Sequence, residues 1–313
     1  MEESNSSSSR GVFTATVHSR EQIGERFYRI TLEFTDEGAK VFSNCQPGQF
    51  SQLDLTSAAL PIAAVIPEEL VDSSGRRLLL RRPFSFSSVT PKGDKTVVEI
   101  LYCTAGPASL RMTTLNTGDS VSVVGPLGRG FSVPEGKKLA LLVVGGMGAG
   151  PLEHMADMLT EKEPETSAIA FAGAKTADAL PFERRLDEIS QQVGFWLPEF
   201  ARYGIESRVA TDDGSAGFHG LVTDCFKQWL GENNPPSEST IIYSCGPEVM
   251  LKRVAEIAAG RNIDCQISME RLMGCGIGLC QSCAVECKGH GDTDYKLCCK
   301  DGPVFDSKEV VFG

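Results

Sequence analysis

Six of the eleven cysteines in this 313-residue chain lie beyond position 270. Three share one loop, Cys275-x4-Cys280-x2-Cys283, and the adjacent pair Cys298-Cys299 follows. That is the ligand spacing of a plant-type [2Fe–2S] centre, a group that moves single electrons. Glycines at 274, 276 and 278 keep Cβ atoms out of the way of a backbone wrapping around inorganic sulfide. The wrapped amides can then donate to the sulfurs and set the potential. A zinc knuckle is the competing reading, but zinc sites favour two pairs of closely spaced ligands. Here three thiols crowd one loop and a fourth arrives from further along. By spacing, either Cys298 or Cys299 can be that fourth. Cys287 reads as a spectator thiol.

Three further segments carry residues suited to a redox cofactor. In Arg82-Pro83-Phe84-Ser85 the arginine can clamp a phosphate and the serine hydroxyl can hydrogen-bond a flavin ring atom. Gly145-Gly146-Met147-Gly148-Ala149-Gly150 follows a buried apolar run and opens a helix, the setting in which amides hold a pyrophosphate. It departs from a strict GxGxxG. Cys245-Gly246-Pro247 ends another apolar run at a turn into a helix, where open α/β sheets hold a nicotinamide. Gly106-Pro-Ala-Ser109-Leu starts a short helix whose N-terminal dipole favours an anion.

The elements that must position these residues change character along the chain. Residues 1–10 are acidic and Ser-rich and read as a disordered tail. From Gly11 the period is two. Tyr28, Ile30, Leu32 and Phe34 alternate with Arg29, Thr31 and Glu33, as a half-buried strand requires. Val12–Val17, Phe50–Leu55, Thr96–Cys103 and Ser120–Val124 are further strands, so residues 11–135 read as a small antiparallel barrel. Residues 56–77 interrupt it as an extended loop. Residues 136–262 alternate buried strands (Leu139–Val144, Ala168–Ala172, Glu206–Ala210, Thr240–Cys245) with helices. The helices expected are one bearing Leu152, Met155 and Leu159 on one face, Phe182–Ile189, and Pro247–Ala259. That order predicts a parallel sheet covered on both faces. Residues 263–313 form the cluster segment.

Composition narrows the function classes. Hydrophobic content of 41% and charged content of 23% are those of an ordinary globular protein. The net charge of −11 opposes nucleic-acid and anionic-membrane binding. The longest apolar stretch, Leu139–Met147, is too short to span a bilayer, and no apolar leader opens the chain. Odd-numbered, metal-ready thiols imply a reducing, cytoplasmic setting. The four histidines, 18, 154, 219 and 290, are scattered and form no metal motif.

Arg81-Arg-Pro-Phe-Ser-Phe86, the Gly-rich turn, Thr211-Asp-Asp-Gly-Ser-Ala-Gly-Phe-His-Gly-Leu-Val-Thr-Asp224, Cys245-Gly-Pro-Glu-Val-Met250 and Cys299-Lys-Asp-Gly-Pro-Val-Phe305 together resemble the ferredoxin–NADP reductase superfamily. Within it, the chain is most similar to the electron-transfer subunits of class B, NAD-dependent dihydroorotate dehydrogenases. The resemblance implies an N-terminal FAD barrel, a central NAD-binding α/β domain and a C-terminal [2Fe–2S] module. It implies FAD contacts from Arg82 to Ser85, from Leu101, Tyr102 and Cys103, and from Ala108 and Ser109. It makes Cys299 the fourth ligand, two positions before Asp-Gly-Pro-Val-Phe. Cys103 and Ala108 stand where the family commonly has arginine and glycine, and the 56–77 loop is longer than usual.

By the same resemblance, dihydroorotate is oxidised on a separate FMN-bearing catalytic subunit, in a heterotetramer of two of each chain. Electrons then pass through the cluster and FAD to NAD. Met273, Ile277 and Leu279 are the apolar residues expected to face that subunit. Asp212 and Asp213 read as turn or ribose-side residues. A diaphorase subunit of another NAD(P)H-linked ferredoxin, hydrogenase or sulfur oxidoreductase would use the same motifs. A colourless zinc-holding interaction module is the remaining alternative.

Overall fold

The computed structural model describes residues 10–182, 197–289 and 293–313. The Ser-rich tail up to residue 9 and positions 183–189 of the expected helix therefore lie outside the described residues. The first unit contains β1 (Gly11–Gln22), β2 (Phe27–Phe34), α1 (Asp36–Phe42), β3 (Phe50–Asp54), α2 (Val71–Ser74), β4 (Arg82–Ser85), β5 (Ser88–Lys92), β6 (Lys95–Cys103), α3 (Pro107–Met112) and β7 (Ser120–Leu127). Its seven strands form one antiparallel sheet in the order β4-β3-β7-β1-β2-β6-β5. The sheet curls around Ile30, Leu32, Phe34, Leu53, Val98 and Ile100, with Phe34 and Phe42 stacked 3.8 Å apart. Each such side chain contributes roughly 1.5–3 kcal/mol by burial. The barrel is an open one, with β4 and β5 as its two edges.

The alternation read for β2 holds at Ile30, Leu32 and Phe34, but Arg29 on the other face is buried as well. The second unit covers that face. The loop at 56–77 is also more structured than expected, carrying two 3-10 turns (Ala63–Val65, Glu68–Leu70) and α2.

The second unit contains β8 (Leu139–Gly145), α4 (Ala149–Lys162), β9 (Ser167–Ala174), α5 (Pro198–Ala201), β10 (Glu206–Thr211), β11 (Phe218–His219), α6 (Val222–Asn233), β12 (Thr240–Cys245), α7 (Glu248–Gly260) and β13 (Asp264–Ser268). Beyond it come the hairpin β14 (Ala284–Lys288)/β15 (Thr293–Leu297) and β16 (Val304–Asp306). The second sheet runs β11-β10-β9-β8-β12-β13-β16, parallel except where β16 returns antiparallel against β13. Helices α4 and α5 bury Leu152, Met155, Leu159 and Phe200 on one face. Helices α6 and α7 bury Phe226, Trp229, Leu251 and Val254 on the other.

That last core runs on without a break into Cys283, Cys287, Cys298 and Cys299, and it reaches Phe50 of β3. The cluster segment therefore has no core of its own. Two strands from residues 263–313 also complete the sheet of the preceding unit.

Candidate functional site

The cysteine loop is built around sulfur acceptors. Cys275 Sγ accepts backbone N–H groups from Ile277 at 3.5 Å, Leu279 at 3.3 Å and Cys280 at 3.4 Å. Cys280 Sγ accepts the N–H of Cys275 at 3.4 Å and lies 3.2 Å from the Ser282 hydroxyl. The Ser282 hydroxyl and these amides hold the Cys280 thiol well below its ordinary range, toward the thiolate that a metal needs.

The thiols fall in two pairs. Cys280 Sγ accepts the N–H of Cys275, while burial and the neighbouring Cys283 thiol push the Cys299 thiol up. Cys298 points elsewhere, its thiol donating to the Met269 carbonyl at 3.2 Å. Cys287 is fully buried on β14. Among the described residues no three Cys, His, Asp or Glu side chains converge on a single-ion site. Two thiol pairs under a lattice of amide donors fit a body with two irons, each taking two cysteines.

The loop lies against the barrel. At Gly276, with φ +72°, an added Cβ would collide with Gln52 Nε2, Cγ and Cδ of β3, so only glycine allows this approach. Gln52 is 1% exposed, and neither of its amide atoms has a hydrogen-bond partner.

A cavity of about 250 Å³ opens where all three regions meet. Phe50, Pro83, Phe84 and Ser85 line it from the barrel, Pro151 and Cys245 from the second unit, and Glu270, Arg271 and Met273 from the cluster segment. Strand pairing sets the barrel side, with Phe50 opposite Ser85 and Gln52 opposite Pro83. Arg82 is half-buried beside it and donates from Nη1 to the carbonyls of Leu80 at 2.8 Å and Arg81 at 3.1 Å.

Tyr102 supplies a test for a ring-bearing cofactor. It stacks on Tyr28 at 5.4 Å and meets Phe84 edge-on at 6.4 Å, yet its buried hydroxyl has no partner. A bound group with a hydrogen-bonding atom there would remove that cost. Leu101 is buried against the second unit, and a Cβ on Gly150 of α4 would lie 3.7 Å from it.

Cys103, half-buried, is a thiol raised by burial, so it brings no cation. Arg26 next to it is engaged with Glu69 at 2.5 Å. Ser109 accepts the N–H groups of Ala105 at 2.8 Å and Gly106 at 3.1 Å, tying down the turn before α3, with Ala108 buried beside it.

On the second unit, β8 and β12 run parallel and end side by side, with Val144 opposite Cys245. The Gly145–Gly146–Gly148 turn packs onto Cys245-Gly246-Pro247. A Cβ at Gly145 would sit 2.6 Å from Met250 Sδ, and one at Gly148 would strike the Cys245 carbonyl. Cys245 is 2% exposed, with its thiol pushed up by burial, so it is a neutral wall of the cavity. Asp213 closes its own turn, accepting Ser215 N–H at 3.0 Å and hydroxyl at 2.6 Å.

Sequence reasoning missed Gln52, Glu270 and Arg271. It also missed a buried ion cluster at the join of the two units. There Arg29 donates to Glu153 at 2.8 and 3.1 Å, Glu99 at 2.7 Å and Glu199 at 3.3 Å. In Phe50-Ser-Gln-Leu-Asp-Leu55 polar and apolar residues are mixed, so nothing in the sequence signals that Gln52 is buried. Met273 packs partly against the interior, while Ile277 and Leu279 are 43% and 77% exposed, as is Leu272 at 90%.

Comparison with known proteins adds lineage to this geometry. Residues 270–311 match the family described as the iron–sulfur cluster binding domain of dihydroorotate dehydrogenase B, and residues 142–256 match the oxidoreductase NAD-binding domain. The chain is 36% identical to the dihydroorotate dehydrogenase B (NAD(+)) electron transfer subunit of Bacillus caldolyticus, covering 95% of this chain and 97% of that protein. Its counterpart in Caldanaerobacter subterraneus subsp. tengcongensis is 32% identical over 95% and 98% of the two chains. A chain of the NADH-dependent reduced ferredoxin-NADP oxidoreductase superposes with a TM-score of 0.69 at 25% identity, over 95% of this chain and 90% of that one.

Proposed function

The chain belongs to the family of dihydroorotate dehydrogenase B electron transfer subunits, and from that premise we propose that it carries electrons from a partner chain to NAD. One observation carries the reading. A single cavity is walled by the flavin-type strand Pro83–Ser85, by Cys245 at the nucleotide-binding edge, and by Arg271 and Met273 of the cluster segment. FAD bound there supplies the exchange between one-electron traffic with an iron–sulfur centre and two-electron hydride transfer with NAD.

The residues of this chain bind, orient and exclude water. Cys275, Cys280, Cys283 and Cys299 hold the [2Fe–2S] cluster in two pairs, leaving Cys298 and Cys287 outside its ligand set. Phe84 and Tyr102 form the aromatic support of the flavin, and Ser85 offers its hydroxyl to the ring. Arg82 approaches the pyrophosphate, and Leu101, Cys103, Ala108 and Ser109 shape the remaining FAD contacts. Gly145, Gly146 and Gly148 let NAD approach the backbone, and Cys245, Gly246 and Pro247 close the nicotinamide side. Cys245 stays a neutral thiol in the wall, and no proton transfer is assigned to it.

Residues 11–135, 136–262 and 263–313 serve as the FAD, NAD and cluster units, with β13 and β16 tying the third to the second. The donor is an FMN-bearing dihydroorotate dehydrogenase catalytic subunit, paired two-and-two with this chain in the cytoplasm. Its docking face on this side is the exposed apolar group Leu272, Ile277 and Leu279. Among the described residues no helix is long and apolar enough to cross a membrane. No observation favours another NAD(P)H-linked oxidoreductase over this one.

Anaerobic purification with the co-expressed catalytic subunit tests the proposal. The expected product contains FAD, iron and acid-labile sulfide, and it reduces NAD with dihydroorotate. A colourless protein holding stoichiometric zinc, or a complex inert to dihydroorotate, refutes it.

A further inference from the structure

Gln52 is a deeply buried polar side chain whose amide has no partner among the described residues. It is 1% exposed, and both its Nε2 and its Oε1 are buried without a hydrogen-bond partner. A primary amide left in that state is costly, and folded proteins retain one where something else binds it. Its place in the fold says what that is. On β3 the side chains of Phe50 and Gln52 leave the same face, and Phe50 lines the cavity. Leu53, on the opposite face, packs inside the barrel. Gln52 therefore points out of the barrel, and there it presses flat against Gly276, between Cys275 and Ile277 of the cysteine loop. Gly276 is itself buried, so this contact is sealed from solvent.

The loop's own amides at Ile277, Leu279 and Cys280 already converge on the Cys275 sulfur. The one side-chain amide on the barrel side of the loop has no other recipient among the described residues. Resting on the cluster assignment above, we infer that Gln52 Nε2 donates a hydrogen bond to a sulfur of the cluster and raises its reduction potential. The physics is electrostatic. The added electron lands on iron and sulfur, and an N–H dipole aimed at sulfur stabilises the reduced form more than the oxidised one. Because Gln52 belongs to the FAD unit, the donor also ties the potential of one module to the seating of its neighbour. A cluster loop that lifts away from β3 loses its donor and becomes harder to reduce.

The test is a mediated redox titration of the cluster in the full-length holoprotein, followed by the paramagnetic signal of the reduced centre, for the wild type, Gln52→Leu and Gln52→Glu. Gln52→Leu is expected to lower the reduced-to-oxidised ratio about tenfold at a fixed ambient potential, which is about 59 mV for a one-electron couple. Gln52→Glu should lower it further, because a carboxylate opposes the incoming electron. Gln52→Asn withdraws the donor while keeping a polar filling, and it carries the comparison where Gln52→Leu does not load iron. Cluster potentials unchanged in the loaded variants overturn the inference. So does a shift confined to the flavin couple, which would assign the amide to FAD instead. A wild-type protein that holds no iron or sulfide would sink the cluster reading itself, a result distinct from either.

Discussion

Replacing Arg29 tests how the two nucleotide-binding units are held together. Its guanidinium leaves β2 of the barrel and forks onto Glu153 of α4, while also bonding Glu99 of β6 and Glu199 of α5. The side chains of Glu153 and Glu199 are 0% and 4% exposed, and Arg29 itself 8%. Burial disfavours every charge in the group, but three carboxylates outweigh it and keep Arg29 protonated. Burial likewise pushes Glu153 up to about 7 against the pull of Arg29. Arg29→Met deprives the fully buried Glu153 of its ion-pair partner, with Arg202, 3.9 Å away, as its remaining cation among the described residues. Breaking a buried pair in this way costs about 3–5 kcal/mol.

Glu153→Gln alone should cost far less, since Arg29 keeps Glu99 and Glu199 and the amide oxygen still accepts. The double variant should recover much of the Arg29→Met loss. Urea unfolding followed by circular dichroism at pH 7.5 measures all four proteins. The sign with pH is fixed. A carboxyl whose folded pKa is raised favours the fold below its unfolded value of 4.5, and that contribution is lost as pH rises through 7. The Arg29→Met penalty should therefore shrink toward pH 5. An Arg29→Met loss under about 1 kcal/mol, or a double variant no better than Arg29→Met, refutes the argument.

Three further outcomes follow from named residues. Cys299→Ser should abolish iron and sulfide retention, whereas Cys298→Ser, whose thiol serves the Met269 carbonyl, should keep both; iron and sulfide content after anaerobic purification decides. His154 is buried with its pKa lowered to about 3, so the folded protein loses stability as pH falls below 6.5, by about 1.4 kcal/mol per pH unit. Glu153 runs the opposite way between 4.5 and 7, so the readout is the difference between wild type and His154→Leu, which a flat difference curve would refute. Tyr102→Phe removes a hydroxyl that has no partner, so it should leave the FAD-free fold unharmed yet weaken FAD binding by up to about tenfold. Fluorescence titration with FAD showing equal affinity would remove Tyr102 from the site.

The sequence made some of this legible and hid the rest for physical reasons. The cysteine loop was readable because Cys275, Cys280 and Cys283 are local in the sequence and share one short loop. The strand and helix alternation between Leu139 and Gly260 was readable because a buried parallel strand is apolar on both faces. Arg29 was not. A period of two assigns it to the outer face of β2, which is correct, but the sequence does not say that α4 and α5 cover that face. Gln52 and Gly276 lie more than two hundred positions apart, and neither residue alone signals their contact. The short helical turns at 63–74 escaped notice because alanines, prolines and serines there carry no sustained period. Likewise, spacing could not choose between Cys298 and Cys299, since only the turn after β15 sends one thiol to Met269 and the other to Cys283.

The antiparallel return of β16 onto β13 has a consequence for biosynthesis. The second unit cannot complete its sheet before the cysteine loop has been synthesised, because the edge strand β16 follows that loop in the chain. The barrel can fold early as translation proceeds, but the nucleotide platform waits for Val304–Asp306. Clipping the final ten or so residues would cost the dinucleotide platform its edge before it touched a single sulfur ligand.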